Sequence, residues 1–171
     1  MAIREILTDK DPVLHKKCHP VTPFDARLGD LLHDLKDTLA NANGAGLAAP
    51  QVGILRRAVV VVDENEHMLE LVNPELIASE GEQDGLEGCL SLPGMWGYVL
   101  RPERATVKAQ DRYGKWFEVS GEGVVARCFC HEIEHLDGHV FTEHVDRVYT
   151  TEDLDELMGE EKQPRRRRRR R

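Results

Sequence analysis

The chain has 171 residues, 40% of them hydrophobic and 32% charged, a balance that fits one globular domain with a real core and excludes disordered and fibrous classes. Its formal net charge of −8 hides an asymmetry, because residues 165–171 are seven consecutive arginines and without them 16 basic residues face 31 acidic ones. The acidic body repels nucleic acid through its general field. With no apolar run near the ~20 residues of a membrane span and no signal-peptide core at Met1-Ala-Ile-Arg-Glu5, a cytoplasmic protein without membrane contact is expected.

From the N-terminus, Asp11-Pro12 predicts a short helix over about 12–18, with Asp as N-cap and Pro at the first helical position. Cys18, near its end, reads as a small semi-buried apolar residue. Over 24–42, Leu28, Leu31, Leu32, Leu35 and Leu39 recur at three- and four-residue spacing, which predicts an amphipathic helix with His33 on its polar side. Asn43-Gly44 ends it. The following segment, Gly44-Ala-Gly-Leu-Ala-Ala-Pro-Gln51, is no dinucleotide fingerprint, since a third glycine and a preceding strand are missing. Taken alone it reads as a turn capped by Gln51, although the Gln51 amide would also suit an oxyanion hole.

Strand signals follow. Ala58–Val62 is a β-branched run, Asp63–Glu66 a turn, Met68–Val72 the returning strand, and Asn73-Pro74 punctuates it. Residues 79–86 read as a loop or an edge strand. In Glu87-Gly-Cys-Leu-Ser-Leu-Pro-Gly94, Cys89 is presented by an extended segment or turn, as nucleophile, metal ligand or filler. Arg104–Gln110 and Trp116–Ser120 alternate apolar and polar residues around a Gly114 turn, a β-hairpin. A helix then runs from Val124 to about Asp137, stopped by Gly138. Four cysteines in a reducing compartment are expected as thiols or metal ligands, not disulfides.

That helix carries His131-Glu-Ile-Glu-His135. Two imidazoles four residues apart share one helix face and can hold one metal ion, with Glu132 placed to act as general base. A third ligand must come from elsewhere. Position 141, where one protease class has its third His, is Phe141, and His139 and His144 miss the spacing. Glu152 or Glu156 could serve a different protease class. Cys128 lies on the same helical stripe and Cys89 on a separate segment, and spacing does not choose between them. Strands before and between helices argue for an α+β fold, with antiparallel sheets packed around the central metal-binding helix.

Three motifs in order, Gly44–Gln51, Glu87–Ser91 and His131–His135, resemble bacterial peptide deformylase from Asp11-Pro12 to about residue 148. The resemblance implies removal of the N-terminal formyl group from N-formyl-Met peptides and nascent chains, with release of formate. It implies that Cys89, His131 and His135 bind one divalent ion, Fe²⁺ in the cell with Zn²⁺, Ni²⁺ or Co²⁺ as alternatives. Glu132 looks like the general base, and the Gln51 amide and Leu90 N–H like the oxyanion donors. The substrate would pair with Gly46, and its methionine pocket would involve Ala45, Gly88, Leu90, Val124 and Cys128. Glu134 stands where the family usually has Asp, and Cys130 where it has Gln. A catalytic domain over 1–150 and a disordered acidic, then poly-Arg, tail over 151–171 are expected, the tail reading as a solvated or added sequence or, alternatively, as a segment able to touch the ribosome. A monomer is expected. A zinc endopeptidase and a Cys-based binding or redox module are the rival readings.

Overall fold

The computed structural model describes residues 2–161 of the chain, and the seven arginines lie outside them. Helix α1 (Ala26–Ala42) starts where the Asp25 side chain accepts from Leu28 N, and it ends at Asn43 in the left-handed region, φ 53°. Its five leucines are all buried. A five-stranded antiparallel sheet follows the order β1-β2-β3-β6-β7, from β1 (Gly46–Ala48), β2 (Ala58–Val62), β3 (Met68–Glu80), β6 (Arg104–Gln110) and β7 (Trp116–Glu122). Strand β2 explains its unbroken apolar run. Ala58 and Val60 pack with the α1 leucines, while Val59 and Val61 pack on the opposite side with Ala126, Phe129 and Leu136 of helix α2 (Val124–Leu136). The sheet is thus covered on both faces at β2, and alternate residues serve opposite cores.

A second antiparallel sheet holds β4 (Gln83–Cys89), β5 (Leu92–Arg101) and β8 (Tyr149–Thr150) in that order. Its buried side, Leu92 and Val99, packs on Val140 and Phe141 beyond α2. Helix α3 (Thr151–Glu161) follows β8, and its start is fixed by a reciprocal pair in which Thr150 N donates to Asp153 Oδ2 and Asp153 N donates to Thr150 Oγ1. No described helix is long and apolar enough to cross a membrane.

The α+β architecture matches the expectation, and four local readings change. The first helix is only a 3-10 turn, Pro12–His15, with Asp11 accepting from Val13 N. Strand β3 does not stop at Asn73-Pro74. Asn73 takes φ 49° within a break in the pairing, and its side chain bonds Val21 N, Val21 O and Gln110 Oε1, so the strand bends and continues. Strand β5, unread in the sequence, runs through Pro93, Gly94 and Gly97, residues that dilute a strand signal. The segment from 151 is helical as far as Glu161 rather than disordered.

Leu35 is fully buried in the α1 face. A Leu35→Ala variant is expected to lose about 2–5 kcal/mol of stability, read as a shifted urea midpoint at unchanged slope.

Candidate active site

Helix α2 lies between the two sheets, and this explains its composition. A surface helix would hide one apolar stripe; here ten of thirteen residues are buried, and Arg127, His131 and Glu132 among them line a groove. His131, Glu132 and His135 are at most 8% exposed. Cys89 ends β4 and faces them. Its Sγ lies 3.3 Å from His135 Nε2, the two Nε2 atoms are 3.1 Å apart, and the three donor atoms all fall within 4.8 Å of one another. Cys128 does not join this cluster, and burial and the charge of Glu132 push its thiol up to about 12.

The donor set fits a divalent ion. One sulfur and two imidazole nitrogens converge without any carboxylate between them, a combination suited to iron or zinc, and three protein ligands leave a position open. Glu132 flanks the set, with Oε1 4.0 Å from His131 Nε2, while its Oε2 is buried without a hydrogen-bond partner among the described residues. Burial raises the Glu132 carboxyl to about 7, with the charge of His131 working against the shift. Strand β1 presses on this carboxylate: a Cβ at Gly46 would come within 2.9 Å of Glu132 Cγ and Oε1, so only glycine lets the β1 backbone approach.

Gln51 caps the turn, and its amide nitrogen is turned toward the candidate ligands. Its Oε1 accepts from Ala48 N at 2.9 Å, capping the turn, and its Nε2 donates to Ser91 Oγ at 3.0 Å and lies 3.6 Å from Cys89 Sγ. The N-terminal strap holds the flanking backbone, with Leu7 N donating to Gln51 O and Asp9 N to Ser91 O. Leu90 occupies the tight turn between β4 and β5, its side chain against Gly44. Ala45, Gly46, Gly88, Leu90, Val124 and Cys128 all line one cavity of about 470 Å³ that also reaches Gln51, Cys89, His131 and Glu132. His135 sits behind this lining.

Sequence reading missed the support beneath the site. Glu87, two residues before Cys89, accepts from His131 Nδ1 through Oε1. Arg101 of β5 binds the same carboxylate through two nitrogens, at 3.1 and 2.8 Å, and Arg127 of α2 adds a bond of 2.9 Å. Burial would raise the Glu87 carboxyl, but His131 and Arg101 outweigh it and hold it at about 2. Burial likewise opposes charge on His131, yet its bonds to Cys89 and Glu87 hold its pKa well above the ordinary imidazole value. Burial and His131 push His135 the other way. Arg101 reaches on to Glu134 Oε1 at 2.6 Å, and Glu134 Oε2 lies 3.0 Å from His144 Nε2. The acidic residue before Cys89 was the available signal, since a ligating imidazole normally needs a carboxylate or carbonyl partner for its second nitrogen.

The polypeptide deformylase family model matches residues 3–150. A peptide deformylase of Caldicellulosiruptor bescii is 52% identical over 156 residues, covering 91% of this chain and 93% of its own length. One from Heliobacterium modesticaldum is 52% identical over 146 residues, covering 85% and 96%. The crystal structure of a peptide deformylase from Legionella pneumophila superposes with a TM-score of 0.80 at 40% identity, covering 95% of this chain and 99% of that one. That of the Thermotoga maritima enzyme gives 0.81 at 36%, covering 85% and 99%. With a matched span of this length and relatives at half identity, the chain belongs to the polypeptide deformylase family.

Proposed function

We propose that the protein hydrolyses the formyl group from the N-terminal methionine of nascent polypeptides in the cytoplasm, with Cys89, His131 and His135 holding one divalent ion. The observation that carries this reading is the convergence of those three donors within 4.8 Å beside a Glu132 oxygen without a partner among the described residues, in a chain of a metal-dependent family. The family resemblance points to Fe²⁺ in the cell, and one sulfur with two imidazoles suits Fe²⁺ as well as Zn²⁺, Ni²⁺ or Co²⁺. When bound, such an ion supplies Lewis acidity toward the formyl oxygen and makes hydroxide accessible at neutral pH.

The chain's own groups supply the rest. Glu132, buried and near neutrality, takes the proton of the attacking water and returns it to the departing amine. Gln51 Nε2, fixed by Ala48 N and Ser91, points a donor at the space beside Cys89 where negative charge develops on the formyl oxygen. The Leu90 N–H acts as a second donor there. The Gly46 backbone and the groove formed by Ala45, Gly88, Leu90, Val124 and Cys128 orient the substrate chain and its methionine. Glu87 sets the His131 ring so that Nε2 faces the ligand cluster. The protein works as a monomer, and the basic tail touches ribosomal RNA.

Formate release from a formyl-Met peptide, measured on anaerobically purified protein, tests this reading. Glu132→Ala should lower kcat by about 10²–10⁴ with the metal retained, and Gln51→Ala by about 10²–10³. Full activity in Glu132→Ala would refute the assignment.

Glu87→Ala leaves two buried arginines and His131 without their carboxylate. Metal affinity should fall about 10–100-fold by competitive chelator titration, and stability by about 3–5 kcal/mol. Stripping the ion should lower the melting temperature and abolish formate release, both restored by Ni²⁺ or Co²⁺.

Deleting residues 165–171 should weaken co-sedimentation with ribosomes at low salt much more than at high salt. Unchanged binding would remove the tail from the ribosome contact.

A further inference from the structure

Past the end of α2 the chain folds back against the candidate ligands. Gly138, at φ 81°, lets the backbone turn so close to His15 that a Cβ there would come within 2.8 Å of it. A 3-10 turn, Phe141–His144, follows, and its entry is fixed where Val140 N donates to Glu143 Oε2 at 3.2 Å. Phe141 stands where one protease class has its third histidine. It carries no donor atom, yet it is 1% exposed and its ring stacks on His131, the centroids 6.2 Å apart and the planes 25° from parallel. Val145 closes the turn against Gly97 of β5, where any Cβ would collide with it.

The same turn reaches the other side of His131 by a longer route. His144 Nε2–H donates to Glu134 Oε2 at 3.0 Å, and Glu134 Oε1 accepts from Arg101 at 2.6 Å. Arg101 in turn binds Glu87, which accepts from His131 Nδ1. Glu134 spends one oxygen on each neighbour, so its length sets the span between Arg101 and His144. The outermost bond is exposed and adds little to stability. Its effect is on direction, because the Arg101 guanidinium is a rigid planar fork that must serve Glu87 and Glu134 together. His131 is thus held on its ring face by Phe141 and at Nδ1 by a chain of bonds that ends in the same turn.

We propose that the turn Phe141–His144 is a clasp that positions His131 for the ion, Phe141 by stacking on the imidazole and His144 by fixing Arg101 through Glu134. Neither side chain lines the groove, so both are positioning residues. The clasp rests on the reading of Cys89, His131 and His135 as ligands and adds the residues that set the angle of one of them. An imidazole that tilts loses its alignment with the ion while the fold around it persists. The cost of loosening the clasp therefore falls on metal affinity and coordination more than on folding.

Co²⁺ affinity is measured by chelator competition, together with the absorption spectrum of the Co²⁺-loaded protein and the melting temperature of the metal-free protein. Phe141→Leu, which keeps the apolar filling and removes the ring, and His144→Ala should each weaken Co²⁺ binding about tenfold and shift the absorption bands. His144→Gln, whose amide can still donate to Glu134, should recover most of the affinity. Glu134→Asp should match His144→Ala, and the two together should lose no more than either alone, since they break one link. His139→Gln, on the same segment but bonded to Glu143, should bind Co²⁺ like the unaltered protein. Unchanged affinity in Phe141→Leu or His144→Ala, or losses that simply track the metal-free melting temperature, overturn the clasp and leave the ligand set standing. An unaltered protein that binds no Co²⁺ overturns the ligand set, and the clasp with it.

Discussion

The site depends on one buried carboxylate. Glu87 gathers Arg101 from β5, and Arg127 and His131 from α2, so a single side chain ties the three-stranded sheet to the central helix. A carboxylate at this depth is tolerated only because each oxygen has charged donors, and those donors in turn need it. The arrangement fixes the ring of His131, and through it the geometry of the candidate ligands. Stability here is secondary to orientation, since a buried ion network gains little over well-packed apolar residues.

The remaining elements divide the work. The five-stranded sheet and α1 form a conventional core that holds β1 against Glu132, with glycine at the point of contact. The N-terminal strap bonds to the backbone of both Gln51 and Ser91, which joins the first motif to the second. Helix α2 keeps its buried polar residues around the candidate site, with apolar layers enclosing it on both sides. The chain before β1, the β4–β5 hairpin and α2 thus converge on one groove.

Much of this could be read in advance. The leucines of α1, the β2 run, the β6–β7 hairpin and the bounds of α2 follow from periodicity and turn residues, because their packing repeats along the chain. His131, Glu132 and His135 declare themselves because i, i+4 spacing is a local property. What was hidden is non-local. Whether Cys89 or Cys128 joins the imidazoles depends on how β4 lies across α2, a fact of tertiary structure. Gln51 serves as cap and as donor at once, and spacing cannot show two partners for one amide. Strand β5 was masked by Pro93, Gly94 and Gly97. The start of α3 did carry a signal, since Thr150-x-x-Asp153 is a capping pair; the acidic composition around it pointed to a disordered tail instead.

Glu87 and Cys89 stand two residues apart on one strand, with a break in the pairing between Gly88 and Cys89. Strand geometry sends alternate side chains to opposite faces, so a slip of β4 by one residue would withdraw the carboxylate from His131 and the thiol from His135 in the same movement. A misaligned hairpin would therefore lose the imidazole's partner and the candidate ligand together.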